Sequence, residues 1–133
     1  MEVWSGREVT RECRFEFSGH RRGRRRPSRY RVDLGLTYDA DRSPRNVKPL
    51  SSYVCSRLDG RDLDYIIAAD GSVNFQSASL VNLARYIVHL IRQYPDLPPP
   101  RVINVELTSD SPGPDGRTPR VRYVIRPQPD SEA

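Results

Sequence analysis

The stretch from Ser77 to Tyr94 constrains this chain most. Leu80, Leu83, Ala84, Ile87, Leu90, Ile91 and Tyr94 recur at i, i+3, i+4 and i+7 spacing, while Asn82, Arg85, His89, Arg92 and Gln93 fall on the other side. The spacing predicts one helix over about 77–94 with a single apolar face that another layer must cover. Ser77 or Ser79 can cap its start. Pro95, followed by Pro98, Pro99 and Pro100, must end it, because proline lacks an N–H and restricts the residue before it.

Alternating segments on both sides supply the cover. Over 8–17, Val9, Cys13, Phe15 and Phe17 share one side of a strand, with Arg11 as a charged exception among them. Over 30–38, Tyr30, Val32, Leu34, Leu36 and Tyr38 alternate with polar residues and Gly35. Between the two lies Gly19-His20-Arg21-Arg22-Gly23-Arg24-Arg25-Arg26-Pro27, whose glycines, proline and like charges resist regular structure, so a hairpin with a mobile arginine-rich tip is expected. Asp39 to Pro49 reads as a surface connection.

Next, 53–58, 63–69 and 72–75 are separated by Asp59-Gly60 and Asp70-Gly71, a pair type that suits tight hairpin turns, and they predict a meander of three short strands. After the helix, alternation over 101–108 and 120–126 predicts a closing hairpin around a long loop at 109–119. The expected architecture is α+β: an antiparallel, meander-rich β-sheet packed on one main amphipathic helix (about 77–94), followed by a C-terminal β-hairpin. It forms a single domain over 1–127 with a flexible tail at 128–133. The helix stripe is expected against Phe15, Val32, Leu34, Tyr65, Ile67, Val105 and Tyr123.

At 133 residues such a domain can close a core with neither metal nor disulfide, and Cys13 and Cys55, far apart and without CxxC spacing, read as reduced core thiols. Met1 to Arg14 is charged where a leader would be apolar, and Arg85, His89 and Arg92 interrupt the longest apolar stretches. Neither export nor membrane insertion is expected, which points to the cytoplasm, or to the nucleus in a eukaryotic host.

Enzyme chemistry finds little support. No GxSxG, HExxH, clustered Cys/His or glycine-rich phosphate cradle is present. His20 and His89 have no evident partners and read as surface residues. Asp59, Asp62, Asp64 and Asp70, with Asp39 and Asp41, crowd the middle of the chain, but a metal-dependent nuclease needs a nearby lysine, and Lys48 stands in no acidic-x-lysine pair. Asp59 and Asp70 serve as turn residues, and Asp39-Ala40-Asp41 lacks the glycine and distant glutamate of a calcium loop. No catalytic residue, metal site or cofactor is assigned.

The arginines are different in kind. Of 22 basic residues, set against 17 acidic ones for a formal +5, Lys48 is the only lysine. A GC-rich genome or an overlapping reading frame would also produce this skew. Yet Arg21, Arg22, Arg24, Arg25, Arg26, Arg29 and Arg31 place seven guanidinium groups in eleven residues, with no adjacent acidic run to neutralise them. Phosphates of a nucleic acid would do so, each accepting a bidentate fork. A solvated hairpin tip or a nuclear import signal is the alternative. Arg120, Arg122 and Arg126 form a second strip opposite Val121, Tyr123 and Ile125, unless they pair across strands with Glu106, Glu12 or Glu16.

The leading expectation is therefore a non-enzymatic nucleic-acid-binding or accessory protein. Its rival is a protein-interaction or homo-oligomerising module built on Val81, Tyr86 and Val88, which lie off the centre of the helix stripe. In element order, successive strands followed by a helix, the chain resembles the single-stranded nucleic-acid binders of the Whirly and Pur type. In arginine bias and compactness it is similar to small viral accessory proteins, including suppressors of RNA silencing.

Overall fold

The computed structural model describes residues 7–112 and 115–126, so the expected tail at 128–133 lies outside the described residues. Five strands form one mixed sheet in the order β3-β1-β2-β4-β5. They are β1 (Glu8–His20), β2 (Ser28–Asp39), β3 (Arg61–Asp62), β4 (Val102–Ser109) and β5 (Arg120–Ile125). The β1–β2 hairpin runs in register from Glu8 opposite Asp39 to Gly19 opposite Ser28, both strands reaching further than the alternation at 8–17 and 30–38 suggested. β4 pairs antiparallel with β2 on one side and with β5 on the other, while β3 lies parallel to the end of β1.

All the buried strand positions fall on one face. Tyr30, Val32, Leu34, Leu36, Tyr38, Ile103, Val105 and Leu107 point there, and three α-helices cover them: α1 (Lys48–Leu58), α2 (Leu63–Ala69) and α3 (Leu80–Gln93). α3 packs on β4 and β5, and α1 lies beside it over β1. Ser79 caps α3, its hydroxyl accepting from the Asn82 N–H, and Tyr94 closes it before Pro95. Ile87, at the centre of the stripe, is fully buried.

The meander expected over 53–75 is absent. Residues 53–58 and 63–69 are helical, and 72–75 forms a turn and irregular backbone. Val47, Leu50, Val54 and Leu58 bury one side of α1 at helical spacing, and Leu63 and Ile67 do the same on α2. The Asp-Gly pairs end helices here. Asp59 is the C-cap of α1 and Gly60, at φ +72°, turns the chain back, a conformation shared by hairpin turns and helix exits alike. Asp62 then caps α2 by accepting from the Tyr65 N–H. The connection over 39–49 is correspondingly shorter than expected: it holds a 3-10 turn (Ala40–Arg42), and Val47 and Pro49 already belong to the start of α1. With the meander gone, the likeness in element order to the Whirly and Pur proteins loses its basis.

Other expectations about packing also change. Val32, Leu34, Ile67 and Val105 lie in the core and Phe15 and Tyr123 at its margin, but Tyr65 is 70% exposed. Tyr86 and Val88, expected at an interface, are only 4% exposed within the single chain, because α1 packs beside α3 and Asp70 reaches the Tyr86 hydroxyl. Val81 alone of the three stays exposed. Cys13 and Cys55 are half-buried free thiols, and burial pushes Cys13 up to about 11. Arg11, the charged exception on β1, donates from Nε to Ser43 Oγ at 3.0 Å; β3 pairs only with Gly19 and His20, and a charge on the remaining open edge of β1 discourages a further strand from adding there.

Gly19 fixes where α2 can sit. A Cβ there would lie 2.5 Å from Leu63 Cγ, and Leu63 is fully buried at the start of α2. Gly19→Ala is expected to cost about 1–3 kcal/mol in urea unfolding by forcing the helix off the strand. Adding Leu63→Ala should recover part of that loss, since the two changes act on one contact. A Gly19→Ala protein as stable as wild type would disprove the close approach.

Candidate nucleic-acid interface

The arginine loop sits at the end of the sheet where β1 ends, β2 begins and the 109–119 loop returns. Its foot is tied on two sides. On one, the Asp64 carboxylate accepts from the Arg22 backbone N–H at 2.6 Å and from the Ala78 N–H at 2.8 Å, joining the loop to α2 and the approach to α3. On the other, Asp110 accepts from the Arg29 N–H at 2.8 Å, the Asp110 N–H donates to the Arg29 carbonyl, and the Ser28 and Ser111 hydroxyls meet at 2.9 Å. The tip turns around Gly23, with the Arg24 N–H donating to the Arg21 carbonyl.

The seven arginines of 21–31 do not share one environment. Arg22, Arg24, Arg25, Arg26 and Arg29 are exposed, and their side chains meet no carboxylate among the described residues. Arg24, Arg25 and Arg26 line an open cleft of about 550 Å³ with Asp110 and Ser111. Arg21 is drawn inward instead, its Nε buried. Burial raises the nearby Tyr30 phenol, opposed by the Ser28 hydroxyl and the Arg21 charge. Arg31 points to the open face of the sheet and reaches Asp33 at 3.4 Å.

Acidic residues at this end are engaged by backbone amides. Asp59 accepts from the Ser18 N–H, Asp62 from Tyr65, Asp64 from Arg22 and Ala78, Asp110 from Arg29 and Asp115 from Arg117. For Asp64, burial pushes the carboxyl up, but its two N–H donors and the Arg21 and Arg22 charges outweigh this and hold it below the usual range. The cluster of aspartates in the sequence thus resolves into caps and clamps. Among the described residues no group of three or more His, Cys, Asp or Glu side chains gathers as a metal site would require.

The second strip is a surface of mixed charge. By register Arg14, Asp33, Glu106 and Arg122 form one row across the sheet, beside a row of Glu16, Arg31, Thr108 and Arg120. Arg120 Nε meets Glu106 at 2.9 Å, Arg14 pairs with Asp33, and Arg122 donates to Asn104 at 3.4 Å. Gly35 leaves a trough of about 590 Å³ in this face, lined by Glu12, Arg14, Arg31, Asp33, Asn104 and Glu106. Arg126 follows the far end of β5, six residues and so roughly 20 Å along from Arg120, at the end of the sheet away from the arginine loop.

One polar cluster has no signature in the sequence. Asp70 accepts from both the N–H and the hydroxyl of Ser72 and from the Tyr86 hydroxyl at 2.8 Å, and Ser72 Oγ lies 2.8 Å from His89 Nε2. His89 is therefore partnered and largely enclosed, contrary to its expected place on a solvated surface. With the Ser72 hydroxyl turned to Asp70, its proton does not face His89 Nε2, unlike the serine-to-imidazole bond of a nucleophile relay.

The hydrogen bonds from Ser72 and Tyr86 hold Asp70 at about 2, below its ordinary 3.8. A carboxylate whose folded pKa is lowered stabilises the fold above its ordinary pKa and loses that contribution as pH falls through the folded value. In thermal melts, the advantage of wild type over Asp70→Asn should be full above about pH 4 and shrink toward pH 2. A constant difference over that window would exclude the carboxylate as its source.

Neither a family model, nor a curated protein, nor a solved structure matches this chain. No helix among the described residues is long and apolar enough to cross a membrane.

Proposed function

We propose that this protein is a non-enzymatic nucleic-acid-binding or accessory protein whose arginine loop engages the phosphate backbone through Arg22, Arg24, Arg25 and Arg26. The observation that carries this reading is the division of roles at the loop end. The aspartates there accept from backbone N–H groups, while the four guanidinium groups are exposed and form no ion pair among the described residues, the Arg22 charge acting on Asp64 only at longer range. Each can donate two parallel N–H bonds to a phosphate, and the clamped foot holds the tip forward without fixing the side chains. Such contacts position a nucleic acid without reading its sequence.

Arg29 lies at the foot and extends the set. Arg21 is drawn inward with its Nε buried, and Arg31, Arg120 and Arg122 belong to the charge-matched open face, so they are left out of the proposed contacts. Burial of Tyr86 and Val88 removes most of the motive for the rival interaction surface. The test is a filter-binding salt titration with single- and double-stranded DNA and RNA. Four phosphate contacts predict a log–log slope of roughly −3 to −4 over about 50–200 mM salt. Failure of the wild type to bind any of the four at low salt would remove the reading.

A further inference from the structure

Tyr65 has no structural employment. Leu63 and Ile67, on the opposite side of α2, carry that helix's packing, and the Tyr65 ring makes no hydrogen bond, aromatic contact or cation–π contact among the described residues. At 70% exposure it is, with Val81, one of two large apolar side chains left open to water among the described residues. Its position is what gives it meaning. The neighbouring Asp64 holds the Arg22 N–H, Asp62 holds the Tyr65 N–H, and Arg61, exposed, lies alongside Gly19 at the end of β1. The exposed ring thus stands on the residue that follows Asp64, the clamp of the arginine loop, and Arg22, Arg24, Arg25 and Arg26 of that loop form no ion pair among the described residues.

Resting on the nucleic-acid reading, we infer that Tyr65 stacks on an unpaired base of a strand whose phosphates lie along the arginine loop, so that the preferred ligand is single-stranded. Arginines supply charge that any polyanion satisfies, and duplex and single strand offer it alike. An exposed aromatic ring adds something only an unpaired base can use, because bases inside a duplex already stack on each other. Stacking tolerates every base, which matches a loop of guanidinium groups that reads no sequence.

The test measures fluorescence anisotropy of a labelled single strand and of a duplex of equal length against wild type, Tyr65→Ala and Tyr65→Trp. Tyr65→Ala should weaken single-strand binding roughly ten- to a hundredfold with the salt slope unchanged, and leave duplex binding within about twofold. Tyr65→Trp should bind the single strand as wild type does, its indole emission quenched beyond the wild type's own tryptophan signal. An equal loss on both ligands, or none on either while wild type still binds, overturns the stacking role and leaves the arginine reading intact. No binding by wild type removes the underlying reading instead. If wild type sediments as an oligomer and Tyr65→Ala as a monomer, the ring belongs to a contact between copies of the chain and the inference falls.

Discussion

Replacing Arg22, Arg24, Arg25 and Arg26 together by Ser is expected to flatten the salt dependence of nucleic-acid binding by roughly 3 and to lower affinity about a thousandfold near 0.1 M salt. Each phosphate neutralised releases condensed counterions, so the slope counts contacts and the loss grows as salt is lowered. The fall should be equal for all sequences. Stability should not change beyond about 0.5 kcal/mol, since the four side chains are exposed and hold nothing else in place. Arg21 is spared on purpose: its Nε is buried, and its replacement would confound binding with folding. Unchanged binding by the variant would move the interface away from this loop.

Asp64→Ala should destabilise the protein by about 2–5 kcal/mol in urea unfolding at neutral pH. The carboxylate is 6% exposed and accepts from two backbone N–H groups, and each donor left without an acceptor costs about 1–3 kcal/mol. Asp64→Asn keeps one oxygen and should lose less. Because the folded pKa lies below the ordinary value, the gap between wild type and Asp64→Asn should narrow as the solution is made acidic. The same variants couple fold to site: freeing the Arg22 amide loosens the loop foot while leaving every guanidinium present, so affinity should drop with the salt slope retained. An Asp64→Ala protein as stable as wild type would show that the carboxylate does not clamp the loop.

Why some of this was legible in the sequence and some was not comes down to range. Alternation over 30–38 and 102–108 and the helical stripe of 80–94 report which residues face a core, and period alone separates strand from helix when the run is long. The arginine loop was equally plain, since proline, glycine and like charge leave a chain few options. Residues 48–69 carried a weaker signal. Val54 and Leu58, or Leu63 and Ile67, are too few to distinguish the two periods, and Asp-Gly terminates helices as readily as it turns hairpins.

The sequence by itself determined the β1–β2 hairpin, the long helix with a serine cap at Ser77 or Ser79, and the concentration of arginine at one loop, because each follows from neighbours within a few residues. Tertiary structure alone decided which charges stay available. Asp64 meets the Arg22 amide across 42 positions and Asp110 meets Arg29 across 81, Arg120 finds Glu106 only once β4 and β5 pair, and Tyr65 is left to water while Leu63 of the same helix lies against Gly19. A carboxylate's partner is set by what the fold brings within hydrogen-bond distance, and no local pattern records that.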